Sequence, residues 1–243
     1  MKAALRWIAL VLLAFVALQL FFIGWIAAMA VVNPASTTFQ RSEAWRILSE
    51  RDRLRWAQHW VPYDEISDHL KRAVITSEDS TFVEHDGVDW DALEKAWQRN
   101  AKAEELAARR AMLAPARAKP AKILGGSTIT QQLAKNLLLS GERSLLRKGQ
   151  EFVLTMVLEH TLSKQRILEL YLNNVEWGEG VFGAEAAAQH YYRKPASRLT
   201  PYEAARLAVM LPQPKRFEKM PGSAYLSGRS ATIVARMRDA ELP

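Results

Sequence analysis

Three constellations in this sequence hold side chains whose types and spacing could do chemistry. The first runs Glu78-Asp79-Ser80-Thr81-Phe82-Val83-Glu84-His85-Asp86-Gly87, with four carboxyls, an aromatic ring, an imidazole and a turn glycine in ten residues. A carboxyl set among apolar groups has its charged form disfavoured, so its pKa rises toward neutrality and it can serve as a general base. Successive helical residues point about 100° apart, so only one of Glu78 and Asp79 would face a given substrate atom. A charged helix end is the plainer reading of the same residues.

The second constellation is Gly125-Gly126-Ser127-Thr128-Ile129-Thr130-Gln131-Gln132-Leu133-Ala134-Lys135-Asn136. Two glycines and two hydroxyl residues at a helix start would leave backbone N–H groups free for phosphate oxygens, with Lys135 adding a point charge. The same residues also read as a capped helix preceded by a glycine turn, and they lack the residue order of a Walker loop. The third is Arg147 and Glu151, four apart on one helical face, which alone is a surface ion pair. Gly178-Glu179-Gly180-Val181-Phe182-Gly183 matches G-x-G-x-x-G, but no strand–helix–strand unit surrounds it, so dinucleotide binding is rejected.

The elements that must position these groups are helical. Apolar residues recur at helical spacing over Trp90 to Arg110, Thr128 to Leu138, Leu145 to Leu162, Lys164 to Val175, Ala184 to Tyr191 and Pro201 to Leu211. Thr200-Pro201-Tyr202-Glu203 is a capped helix start. No stretch alternates in the manner of a strand, so the fold class is all-α.

From Trp7 to Val32 there are 26 residues without a charge. As a helix they reach roughly 39 Å, enough to cross a hydrocarbon core of about 30 Å. Lys2, Arg6 and Ala28-Met29-Ala30 would also suit a cleaved signal peptide, but an apolar region of about 7–15 residues is usual there, so the span is read as an anchor. Basic residues flank it on both sides, Lys2 and Arg6 before and Arg41 and Arg46 after, so charge alone does not orient it. The division expected is residues 1–32 as cytoplasmic tip and transmembrane anchor, 33–60 as linker and juxtamembrane segment, and 61–243 as the catalytic domain. Arg41 to Trp60 mixes arginines with Trp45, Leu48, Leu54, Trp56 and Trp60, which suits either a membrane interface or an amphipathic helix packed on the body.

The 243-residue chain carries a net charge of +7 and no cysteine, which excludes disulfides and thiol chemistry. Arg99 to Lys122 holds seven basic residues against Glu104 and Glu105, an excess equal to that of everything beyond the span. The rest of the body is balanced, which argues against a nucleic-acid surface. Pro115 and Pro120 deny this segment a continuous helix. The expectation is a helix end followed by a flap resting on anionic lipid, where basic residues gain roughly 1 kcal/mol each. A solvated loop is the other reading.

In their order along the chain the motifs resemble those of the monofunctional biosynthetic peptidoglycan transglycosylases and of the glycosyltransferase domain of class A penicillin-binding proteins, from about Val61 to Phe217. The resemblance is carried by Glu78-Asp79 with Phe82, His85 and Gly87; by Gly125 through Asn136; by Arg147-Lys148 with Glu151; by Ile167 through Asn173 with Gly183; and by Leu199 through Pro214. It implies a lysozyme-like, mostly helical domain with a cleft between two lobes. The basic Arg99 to Lys122 segment is longer than usual for such proteins. The residues after Pro214 leave no room for a transpeptidase domain, so a monofunctional enzyme is expected.

The resemblance implies an inverting glycosyltransferase that joins lipid II units into β-1,4-linked strands and releases undecaprenyl pyrophosphate. Glu78 would be the general base and Glu151 a second catalytic carboxylate orienting Arg147. Asp79, Phe82, His85, Ser127, Thr128, Gln132, Lys135 and Arg147 would bind substrate, with Lys135 and Arg147 meeting pyrophosphate. No cofactor is required by this reading, although Mg or Mn could help neutralise pyrophosphate, and nothing in the sequence looks like a dedicated metal site. Implied partners are lipid II, the growing lipid-linked glycan, the membrane and other cell-wall synthesis and division proteins. The catalytic domain would face the periplasm from the bacterial inner membrane. A lysozyme-like glycan hydrolase with Glu78 as acid, or a membrane-tethered scaffold, is the alternative.

Overall fold

Serine and threonine caps start the helices that carry the chemistry-bearing side chains. In α3 (Asp68–Glu78) the Ser67 hydroxyl accepts the His69 N–H. Thr128 with Gln131 and Thr200 with Glu203 form capping boxes at α5 (Ile129–Leu138) and α9 (Pro201–Met210). Ser144 and Ser163 cap α6 (Leu145–Thr161) and α7 (Lys164–Asn174). Each cap satisfies an N–H that the first helical turn leaves without a partner. The computed structural model describes residues 2–51, 54–113, 125–139, 141–142 and 144–243.

The expected helices are all present, including α4 (Trp90–Leu113) and α8 (Ala184–Tyr192). The chain is mostly helical, with one N-terminal helix, α1 (Lys2–Ala28), long and apolar enough to cross a membrane. In the core, α9 packs between α3 and, beyond the short α10 (Pro214–Glu218), α11 (Ala224–Arg236), which also touches α3, while α5 packs on α6 and α7. Leu70, Val74 and Ile75 of α3 are buried with Ala204, Ala205 and Ala208 of α9, whose small side chains permit close approach. The second half of the basic segment, from residue 114, on which the flap reading falls, lies outside the described residues.

A small sheet departs from the purely helical expectation. Its order is β1 (Ala57–Gln58), β3 (Val181–Phe182), β2 (Glu176–Gly178), with β1 parallel and β2 antiparallel to β3. Strands of two or three residues are too short for alternation to register. The G-x-G-x-x-G stretch is the β2–β3 hairpin. Gly180 has φ +74°, and a Cβ there would meet the Arg55 carbonyl oxygen at 2.2 Å. The glycines serve backbone packing, in agreement with the rejection of dinucleotide binding. Residues 33–60 contribute more than a linker. They supply β1 and α2 (Thr38–Arg51), which buries Gln40 and Ile47 while exposing Trp45 and Leu48, so α2 has both a packed face and an outer apolar one.

One carboxylate stitches the end of α3 to the start of α5. Asp79 Oδ2 accepts the Ile129 N–H at 2.9 Å, and Asp79 Oδ1 pairs with His85 Nε2 at 2.9 Å. His85 Nδ1 accepts the Gly87 N–H at 3.1 Å, which leaves the ring proton on Nε2, facing Asp79. The circuit closes as the Thr128 hydroxyl donates to the Gly87 carbonyl at 2.7 Å. Gly87 has φ +88°, and a Cβ there would stand 2.8 Å from both Thr155 Cγ2 and Glu159 Cγ. Asp79→Ala should orphan the Ile129 N–H and His85 and cost about 1.5–3 kcal/mol, the value of a hydrogen bond to a charged group. Thermal melting would then fall by about 3–12 °C. Gly87→Ala should destabilise comparably through strain and contact. Unchanged melting in both variants would remove this circuit from the fold's supports.

Candidate active site

Glu78 closes α3 and opens on a cavity of about 770 Å³ bounded by α4, the Gly125–Thr128 loop and α11. Gln132 Nε2 donates to Glu78 Oε2 at 3.1 Å, and the Ser77 hydroxyl donates to Oε1 at 3.4 Å. Although the residue keeps some exposed surface, its carboxyl group lies deep, and burial holds its pKa above the ordinary glutamate range. The hydrogen bonds from Gln132 and Ser77 oppose that rise, Asp79 adds to it, and the positive charge of Arg229 pulls it back. Tyr171 donates its hydroxyl to Gln132 Oε1 at 2.9 Å, which fixes the amide so that its NH₂ meets Glu78. Burial, with the nearby charges of Glu78 and Asp79, pushes the Tyr171 hydroxyl well above its usual pKa, so it stays a donor.

On the other side of Gln132 lies a second cavity of about 390 Å³, lined by Lys135, Arg147, Lys148 and Glu151. The Glu151 side chain is only 4% exposed. One of its oxygens accepts Arg147 Nη1 at 2.7 Å and the other pairs with Lys148. Arg147 Nε is buried without a protein partner. Burial pushes the Lys135 ammonium pKa down, and Arg147 and Lys148 push the same way against Glu151. Because its side chain remains exposed, we take Lys135 as a charged donor facing the cavity. Three cations around one well-held carboxylate suit a polyanion such as a phosphate group.

Glu78, Asp79, His85, Ser127 and Thr128 line the first cavity; Ser127, Gln132, Lys135, Arg147 and Glu151 line the second. Ser127 and Gln132 thus stand where the two meet. Three expectations change. Phe82 is fully buried under the site, beneath the Lys164 ammonium at 4.7 Å, and has no surface for substrate. The α5 N-terminus is not a free phosphate nest, because Asp79, Thr128 and Gln131 already take its first N–H groups. Arg147 and Glu151 are not a surface pair, since Glu151 is buried. Asp79 and Thr128 are likewise engaged with backbone partners, which leaves them little for a ligand.

Sequence reasoning missed Tyr171 and Arg229. Tyr171 carries no local sign of function on an apolar helix. Arg229 sits on α11 beside the buried Leu226, Ser230 and Ile233, and only the packing of α11 on α3 brings it to Glu78. Among the described residues no group of three His, Asp or Glu side chains is placed to hold a metal ion.

The profile of the family described as Transglycosylase matches residues 46–238. A biosynthetic peptidoglycan transglycosylase of Paraburkholderia xenovorans (strain LB400) is 50% identical over 242 residues, covering 98% of this chain and 94% of that protein. Proteins of the same description from Burkholderia orbicola (strain MC0-3) and Burkholderia thailandensis (strain E264) are 51% and 50% identical over 230 residues, covering 95% of this chain and 87% and 84% of theirs. With a matched profile over most of its length and half its residues shared with such relatives, the chain belongs to the transglycosylase family, among the peptidoglycan glycosyltransferases.

Proposed function

We propose that this chain polymerises lipid II on the outer face of the bacterial cytoplasmic membrane, with Glu78 as the general base. The reading rests on one juxtaposition: a buried carboxyl of raised pKa, one glutamine away from a cavity ringed by Lys135, Arg147 and Lys148. The acceptor sugar enters the Glu78 cavity and its 4-hydroxyl gives its proton to Glu78. That oxygen forms a bond to the anomeric carbon of the lipid-linked chain from the face opposite the leaving group, so α becomes β. The bond to undecaprenyl pyrophosphate breaks, and the pyrophosphate departs with the electron pair. Since pyrophosphate is already a stable anion, cations and N–H donors can replace the acid that a hydrolase needs. Glu151 holds Arg147 and Lys148 in place through its two oxygens. A divalent ion, where it takes part, would ride on the substrate's pyrophosphate.

Anchoring by α1 confines enzyme and lipid-tailed substrates to one plane. The catalytic domain would face the periplasm, where other cell-wall synthesis and division proteins are within reach.

Glu78→Gln keeps the side chain's shape and removes the base, so polymerisation of lipid II should fall by about 10²–10⁴-fold, the range for a lost general base. Binding of lipid II should survive. Retention of more than a few per cent of the rate would take Glu78 out of this role. The same variant should melt higher than the unsubstituted protein at neutral pH. A carboxyl whose folded pKa is raised destabilises the fold once ionised, and the difference should vanish below the unfolded glutamate value of about 4.3.

The base must be ionised to work, so the rate should fall on acidification through the raised pKa of Glu78, at higher pH than an ordinary glutamate would give. Arg229 favours the charged form. Arg229→Gln should therefore move this acidic limb to still higher pH, with little change on the alkaline side. A pH–rate profile that coincides with the unsubstituted protein's would show that Arg229 does not act on Glu78.

Lys135→Ala should slow polymerisation more than Lys135→Arg, because the proposed contribution is a point charge against pyrophosphate. Steady-state rates across the three forms test this, and equal rates would leave Lys135 as a solvated helix residue.

A further inference from the structure

Gln19 is the strongest hydrogen-bonding side chain in an otherwise apolar span, and it is not left to lipid. Gln19 Nε2 donates to Gln150 Oε1 at 3.2 Å, and Gln150 Nε2 donates back to Gln19 Oε1 at 2.9 Å. Gln19, Phe22, Ile26 and Met29 fall on one stripe of α1 at helical spacing. Phe22, Ile26 and Met29 pack into the core of the catalytic domain. Just past the end of α1 a second clamp forms: Arg166 of α7 donates through Nε to the Met29 carbonyl at 2.8 Å and through Nη2 to Asn33 Oδ1 at 2.7 Å. The anchor is therefore attached at two heights.

The geometry points to an anchor lock, in which the Gln19–Gln150 amide pair sets the height and rotation of α6 relative to α1 and, through α1, to the bilayer. Gln19 lies nine residues before Ala28. At 1.5 Å per residue this puts the pair about 14 Å before the end of a helix longer than the hydrocarbon core of about 30 Å. The charged residues Arg147, Lys148 and Glu151 stand within one turn of Gln150, which sets the pair at the outer lipid–water boundary rather than at the bilayer centre. An amide on the lipid-facing surface of an apolar helix needs a partner, and a reciprocal pair satisfies both side chains. The surroundings agree: on α6 near Gln150, Leu145 and Leu146 are 92% and 89% exposed, and Phe152 and Val153 also face outward, as lipid contact requires. Helix α6 presents Gln150 to the anchor and, on the adjoining face, Arg147 and Glu151 to the second cavity. The lock would thus hold the pyrophosphate-binding helix at a fixed height, and in that respect the inference rests on the function proposed above.

A double-mutant cycle in lipid bilayers tests it with the full-length protein. Gln19→Leu and Gln150→Leu should each raise the KM for lipid II by about three- to tenfold, the change expected from losing one or two hydrogen bonds between membrane helices, with kcat little altered. The double variant should be no worse than either single one, because one interaction is being removed twice. In detergent micelles, where lipid II is not presented at a fixed depth, all four forms should be alike. Additive effects, no effect in bilayers, or an equal loss in micelles would overturn the lock. Arg147→Ala separates the two ideas. Normal polymerisation by that variant would refute the pyrophosphate role of α6 while the non-additivity of the glutamine pair still decides the lock.

Discussion

The arrangement depends on a negative charge at a helix start. The N-terminus of α5 carries unpaired N–H groups and the positive end of the helix dipole, and Asp79 places its carboxylate there. In doing so it fixes where α3 stops and hence where Glu78 stands. It also holds His85, and through His85 and Gly87 the whole connection to Thr128. A side chain adjacent in sequence to Glu78 thus performs a structural task that leaves Glu78 free to face the cavity.

Given that placement, the electrostatics of the two cavities divide cleanly. The Glu78 side is desolvated, which raises the carboxyl's proton affinity, while hydrogen bonds from Gln132 and Ser77 and the charge of Arg229 limit the rise. The Lys135 side gathers cations and spends its one buried carboxylate, Glu151, on orienting Arg147 and Lys148. Gln132 belongs to both sides. Its amide is polarised by Tyr171 and donates to Glu78, so the lining of the second cavity and the position of the Glu78 carboxyl share one side chain. A glycosyltransferase that must align two substrates has reason to couple adjacent cavities in this way.

The membrane enters as a further constraint on the same helices. In this transglycosylase α1 is no passive tether, because its outer half packs on the domain and Arg166 binds the backbone where the chain leaves the helix. A catalytic domain fixed to its anchor samples fewer orientations than one on a loose linker, and a lipid-linked substrate is confined to the same plane.

Much of this was legible in the sequence, because helices announce themselves locally. The 3.6-residue period, the Thr-x-x-Glu box at Thr200 and the hydroxyl caps are determined by neighbours within one turn, and so the helices between Trp90 and Leu211 were read correctly, while α11 was not foreseen. Glu78, Gln132, Lys135 and Arg147 were singled out through the family's motif order, and the structure gathers them around the two cavities. What tertiary structure alone decided are the matters of partner and burial. Glu151 looked like half of a surface pair until packing buried it. The α5 N-terminus looked open until a carboxylate fifty residues upstream occupied it. Gln19 sits in an apolar span, and only the folded α6 brings its partner. Local propensity is set by the nearest few residues, whereas a hydrogen bond across 50 or 131 positions exists only once the core has formed.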